Sequence, residues 1–406
     1  MKSVISDDWS LVDKTHIAVR DTAANIISAF NQPGCDIIDC DCINHVLRLA
    51  LNDEVLEQQN VKNLKVKVSK VTMFAAHSNN FETELKKQQK QVMGKTSDSE
   101  CLTVINDCKT RWNSTFYMFK RLVDLEQALV LTMRKFYDQI EVEFTAQDWS
   151  LMKKIVKVLK PFEQATKILS YSDASISMVI PIIFTIRLGL ETRQKDEIGV
   201  ITLKKNLLKN LQNRQGFLED REEYYLATYL DPRFKWYFFT KHDTRQKCKT
   251  KILSKLKEKL STSNDNLSES VASSTSSNES TNLNDSFDQK MKKIIMKQQS
   301  KVPKVDNEST MASDYLETYD QANVIDSKAS SLHYWKKEHD SRHPIAILLS
   351  KLACYYLTPP PTSTDVERLF STAGNILTDA RNRLTPENLE KLLFIRQNLV
   401  FLNFQY

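Results

Sequence analysis

Six glycines in 406 residues leave this chain short of the residue that tight turns and left-handed backbone demand. A sandwich, barrel or propeller closed by short hairpins needs many more, so helix has to carry the fold. Hydrophobic residues make up 41% of the chain, enough for real cores, which excludes global disorder. The net charge of +6 is compatible with a nucleic-acid partner without requiring one. Seven cysteines form no CxxC pair and no regular spacing, so a reducing compartment is expected rather than a disulfide framework. The opening residues MKSVISDDWSLVD lack the apolar stretch of a signal peptide. The longest apolar run, Met178–Phe184, is interrupted by Pro181 and falls far short of the ~20 residues that span a bilayer, so no membrane partner is expected.

The first forty residues read as strand, helix, strand. His16–Arg20 is a short β-branched run, Thr22–Phe30 places Ala23, Ile26, Ile27 and Phe30 at helical spacing, and Asp36–Cys40 is a second run of strand length. So short a crossover suggests parallel strands of an α/β sheet, though two strands are too few to stand alone. Beyond Cys40 the period is helical. Phe116–Phe136 and Ala146–Leu169 are long amphipathic stretches, the second expected to kink or split at Pro161. Ten of the thirty residues 261–290 are serine, a composition that cannot offset its own ordering entropy, so a disordered tether is expected there. The run before it, Lys247–Lys259, holds six lysines against one glutamate and reads either as a solvated helix surface or as a DNA-contacting face. Order returns near Asp314, and the terminal stretch Pro386–Leu402 is apolar on more than one face, so it must be buried in this chain or against a second copy.

Four groups could carry chemistry. Asp21 follows a strand and opens a helix, which suits either a ligand-binding carboxylate at a strand's carboxyl end or a simple helix cap. Glu367 lies in Thr364-x-x-Glu367, the pattern of a capping box. A catalytic role would need further carboxylates beside it to hold a pair of Mg²⁺ ions. Cys42-x-x-His45 has no second ligand pair at suitable spacing, so a buried thiol and a hydrogen-bonded histidine are favoured over zinc. Trp112 beside Arg111 could stack on an unpaired base while the guanidinium takes a phosphate, or Trp112 could anchor a core.

Taken together, the segments 18–25, Cys42-Ile43-Asn44-His45, Thr110-Arg111-Trp112-Asn113-Ser114-Thr115, Leu226–Lys235 and the C-terminal block Tyr334–Leu399 resemble the hAT superfamily of DNA transposases and the host proteins derived from them, including the BED-zinc-finger group. The resemblance implies a mostly α chain with a partial RNase H-like α/β portion, that is, an RNase H-like fold interrupted by a large helical insertion. It divides the chain into 1–41 (α/β segment), 42–260 (helical insertion), 261–311 (disordered linker) and 312–406 (C-terminal dimerisation region). By resemblance Asp21 matches the second catalytic aspartate and Glu367 the third acid, while Trp112, with Arg111, matches the base-stacking site. It also assigns dimerisation contacts to Leu348, Leu352, Phe370, Leu392, Leu393 and Ile395.

Only twenty residues precede Asp21, so the first three strands of such a sheet, their aspartate and the BED finger are expected to be missing. Losing one carboxylate of three should remove most affinity for a metal pair. The expectation is therefore a nuclear, transposon-derived protein that is not an enzyme and needs no cofactor, Mg²⁺ entering only if a longer active product exists. Its expected partners are a second copy of itself, as homodimer or higher oligomer, and DNA. The alternatives are a fragment of an active transposase or a nuclear scaffold that does not touch DNA.

Overall fold

Strand β1 (Ile17–Arg20) and strand β2 (Ile38–Asp41) lie parallel, with Ile17 opposite Ile38 and Arg20 opposite Asp41. Helix α1 (Ala24–Phe30) is the crossover between them. The β-branched Ile17, Val19 and Ile38 suit this pleated pair. The computed structural model describes residues 15–32, 35, 37–108, 112–192, 194, 198–262, 285–299, 311–377 and 384–399. Among them the structure is mostly helical, and β1 and β2 form the one sheet.

The helices that follow are α2 (Ile43–Leu51), α3 (Gln59–His77), α4 (Asn79–Met93), α5 (Trp112–Asp124), α6 (Glu126–Lys135), α7 (Tyr137–Ile140) and α8 (Ala146–Leu169). After them come α9 (Val179–Leu190), α10 (Ile198–Gln215), α11 (Glu222–Leu230), α12 (Thr244–Thr262) and α13 (Asp285–Gln299). The last are α14 (Met311–Gln321), α15 (Ser331–Asp340), α16 (Pro344–Leu357), α17 (Thr364–Ile376) and α18 (Pro386–Asn398). By contact the chain divides into two units. One comprises Met1–His45, Leu169–Ser175 and Pro359–Tyr406, the other Val46–Ile168 and Ile176–Thr358.

The helical unit is organised around α11, which is buried from Glu223 to Leu230. The Trp335 indole donates to the Leu230 carbonyl oxygen at 2.7 Å, and the Ser350 hydroxyl donates to the Trp335 carbonyl oxygen at 2.9 Å. These bonds fasten α15 and α16 to α11, so residues up to Thr358 belong with the helical unit. The stretch expected to begin at 312 thus contributes α14, α15 and α16 to the helical unit.

Helix α8 runs through Pro161 without splitting, with its apolar stripe (Met152, Ile155, Leu159, Phe162) buried on both sides of the proline. Within the expected tether, residues 285–299 form α13, whose Met291 and Ile295, four apart, are buried as on one helix face. The remainder, 263–284 and 300–310, lies outside the described residues.

Candidate functional site

The polar cluster of the first unit is assembled from segments far apart in sequence. Asp39 and Asp41 alternate along β2 and therefore share a face. The Arg20 guanidinium of β1 donates to Asp41 Oδ1 at 2.6 Å and also pairs with Asp39. Burial alone would lower the Arg20 pKa, but the two carboxylates raise it. The Cys42 sulfur accepts the Ser363 N–H at 3.4 Å, and the Ile43 N–H donates to the Pro361 carbonyl oxygen at 3.2 Å. Asn44 Nδ2 donates to the Ser170 hydroxyl at 2.9 Å, and the Thr362 hydroxyl donates to the Leu169 carbonyl oxygen at 3.2 Å. His45 Nε2 is hydrogen-bonded to the Thr22 hydroxyl at 2.9 Å. Cys42 is buried and His45 half-buried, each with a protein partner.

Asp21 and Glu367 belong to this unit. Asp21 Oδ1 accepts the Ala23 N–H at 3.0 Å, just ahead of α1. Glu367 is exposed on α17, and its Oε1 accepts the Ser363 hydroxyl at 3.2 Å. The expected capping box does not form: Ser363 rather than Thr364 is the N-cap, and its side chain makes no cap hydrogen bond to the helix backbone. Among the described residues no three His, Cys, Asp or Glu side chains are placed to hold a metal ion. Each of the two carboxylates accepts one local hydrogen bond.

Helices α17 and α18 differ from the rest of the C-terminal block in burying no side chain. Phe370 is 69% exposed, Leu392 46% and Ile395 51%, with Val366 and Phe394 exposed beside them and Leu393 half-buried. Leu352 and Leu348 are different. Leu352 is 3% exposed in the helical core and Leu348 is half-buried on α16. A side chain already enclosed by its own chain offers no face to a partner, so Leu352 leaves the dimerisation set.

Trp112 opens α5 and is 7% exposed. Its ring is buried in the helical unit, the placement of a core anchor. Arg111 lies outside the described residues. Asp107 is tied to α5, its Oδ1 accepting the Ser114 hydroxyl at 2.6 Å and the Thr115 hydroxyl at 2.8 Å while Lys65 pairs with Oδ2. Burial would raise the Asp107 carboxyl, but Lys65 and the two hydroxyls hold it below its usual range.

The lysine run of α12 is split: Lys247, Lys257 and Lys259 are exposed, as a solvated surface requires, while Lys249, Lys251 and Lys255 are half-buried in ion pairs. Lys251 and Lys255 pair with Glu222 at 2.9 and 2.8 Å, and Lys249 pairs with buried Asp320 at 2.9 Å. Asp320 also accepts the Tyr229 hydroxyl at 2.7 Å and Arg245 Nε at 3.0 Å. The Asp231-Pro232-Arg233 segment, which ends α11, is a buried knot in which both Asp231 oxygens hold the Arg233 guanidinium and Oδ2 accepts the Ser177 hydroxyl at 2.7 Å.

Comparison with known proteins adds to this geometry. Residues 311–399 match the hAT family C-terminal dimerisation region, and residues 40–158 match the ZBED1 RNase-like helical domain. Human zinc finger BED domain-containing protein 4 is 26% identical over 371 residues, covering 90% of this chain and 30% of its own length. Human zinc finger BED domain-containing protein 6 is 27% identical over 228 residues, covering 53% of this chain and 22% of itself. The putative transcriptional regulator tpeD of Talaromyces stipitatus is 22% identical over 386 residues, covering 88% of this chain and 41% of itself. The chain thus spans less than half the length of the curated relatives it matches.

Proposed function

We propose that this chain, a homologue of the human zinc finger BED domain-containing proteins with a hAT C-terminal dimerisation region, self-associates through α17 and α18 and works in the nucleus by binding DNA, without DNA strand transfer. The observation that carries the reading is the exposed apolar surface of Phe370, Leu392 and Ile395 within the matched region 311–399. Apolar surface gathered on helices that bury nothing of their own is the mark of an interface. An RNase H-like ancestry is supported by the parallel pair β1 and β2 sharing a unit with α17. Binding in place of catalysis is supported by the local bonds of Asp21 and Glu367. The DNA partner rests on the net charge of +6 and on the zinc finger and transcriptional regulator names of the relatives.

Sedimentation velocity of the purified chain tests the first part. Self-association is expected at micromolar concentration, and Phe370→Asp with Ile395→Asp should yield a monomer of unchanged thermal stability. A wild-type chain that stays monomeric at tens of micromolar refutes the reading. For the second part, duplex binding should weaken steeply as salt rises. Cleavage or joining of oligonucleotides with Mg²⁺, lost in Asp21→Asn, would establish an enzyme instead.

A further inference from the structure

The helical unit contains a cavity of about 240 Å³ between α9, α10 and the segment after α11. One wall is apolar, formed by Ile180, Ile183, Phe184 and Phe238. The other is polar and unsatisfied. Gln215 is 2% exposed, and both its amide oxygen and its amide nitrogen are buried without a hydrogen-bond partner. Arg187, on α9, lines the same cavity with Nε and Nη2 likewise buried and unpartnered. Burial lowers the Arg187 pKa, and Glu219 opposes that shift only from a distance. The Glu219 carboxylate is committed elsewhere, accepting the Thr240 N–H at 2.8 Å, the Lys241 N–H at 3.0 Å and the Thr244 hydroxyl at 3.0 Å.

Such an arrangement is costly for a chain on its own, because a buried guanidinium edge and a whole buried amide are left without partners. The edge formed by Nε and Nη2 is the one that grips a carboxylate through two parallel hydrogen bonds. The Gln215 amide adds a donor, while its oxygen asks for a donor from the ligand. Gly216 at the cavity's edge has to lack a side chain, since a Cβ there would lie 2.6 Å from the Gln212 carbonyl oxygen and 2.9 Å from Gln212 Nε2. At ~30 Å³ per water the space takes a handful of waters or one small ring with its substituents.

We propose that this cavity binds a small organic carboxylate with a compact apolar body and one hydroxyl or N–H donor, the carboxylate on Arg187 and the donor on Gln215 Oε1. The apolar body packs against Phe184 and Phe238. The site is independent of α17, α18 and self-association.

Calorimetric titration of the full chain tests it, with 3-hydroxybenzoate and 4-hydroxyphenylacetate as probes, 3-hydroxybenzamide as the uncharged control and inorganic phosphate as the bare anion. At least one of the two acids should bind saturably at one site, with the benzamide and phosphate at least tenfold weaker. Arg187→Met should weaken that acid at least tenfold and raise the melting temperature of the ligand-free chain by a few degrees, because it removes the unpaired cation. Gln215→Leu should weaken binding several-fold without lowering the melting temperature. Saturable binding by neither acid would mean that the cavity holds only water. Equal affinity for the benzamide or for phosphate, or a large loss of stability in Arg187→Met, would equally overturn the assignment.

Discussion

The Ser363 N–H donates to the Cys42 sulfur at 3.4 Å, joining positions 321 residues apart. Beside it the Ile43 N–H reaches the Pro361 carbonyl oxygen, so the residues after β2 and those before α17 are stitched by backbone donors. A buried amide that loses its acceptor costs about 1–3 kcal/mol. Cys42→Ala should therefore destabilise the chain by about that much in urea melts, and Ser363 should exchange its amide proton faster. Cys42→Val, which refills the volume without supplying an acceptor, should leave the exchange equally fast. An alanine variant as stable as wild type would mean that the sulfur contact contributes nothing.

Trp112 gives a second forecast. Truncating a buried tryptophan costs about 3–5 kcal/mol, so Trp112→Ala should lower the denaturation midpoint sharply. Trp112→Phe should recover most of the stability. If the ring anchors the start of α5, single-strand and duplex affinity of the folded phenylalanine variant will match wild type. A selective loss of DNA binding at unchanged stability would restore the stacking role.

What was legible in the sequence was whatever is written locally. Glycine scarcity gave helix dominance, and the runs near Ile17 and Ile38 gave the parallel pair. The bond from the Ala23 N–H to Asp21 spans two residues, and for that reason could be named as one of two readings. What stayed hidden are partners with no period to announce them. Arg20 finds Asp39 and Asp41 about a crossover away, and Lys249 finds Asp320 across the serine-rich segment. The pairing of Lys249, Lys251 and Lys255 was hidden because Glu222 and Asp320 lie far from them in sequence. Weak burial around α1, which encloses none of its residues, also fits an early-opening segment, and amide exchange should be faster through β1 and α1 than through α11.

Leu352 and Phe370 separate folding from association. Leu352 is enclosed and Phe370 bare, so one substitution at each should move different observables. Leu352→Ala is expected to cost about 2–5 kcal/mol of stability and to leave the dissociation constant of the folded dimer unchanged. Phe370→Ser should change monomer stability by less than about 0.5 kcal/mol, while raising that constant at least tenfold. Equal effects on both observables at either position would show the two roles to be inseparable.

Lys235 carries the pH dependence. Its amino group is enclosed, donates to the Tyr319 and Ala322 carbonyl oxygens and lies 4.6 Å from the Tyr319 ring centre. Burial lowers its pKa from 10.5 to about 8, with Asp320 pulling weakly the other way. A folded chain that releases this proton near pH 8, while the unfolded chain keeps it to about pH 10.4, binds fewer protons across that window. The contribution of Lys235 to stability must then rise with pH between those limits, opposite to the trend for a lysine held by a carboxylate. Comparing wild type with Lys235→Met cancels the other titrating groups. The stability difference should shift in favour of wild type by about 2 kcal/mol between pH 7.5 and 9.5. A difference that stays flat, or moves the other way, would mean that Lys235 keeps its proton throughout and that the ring and carbonyl contacts fully replace water around it.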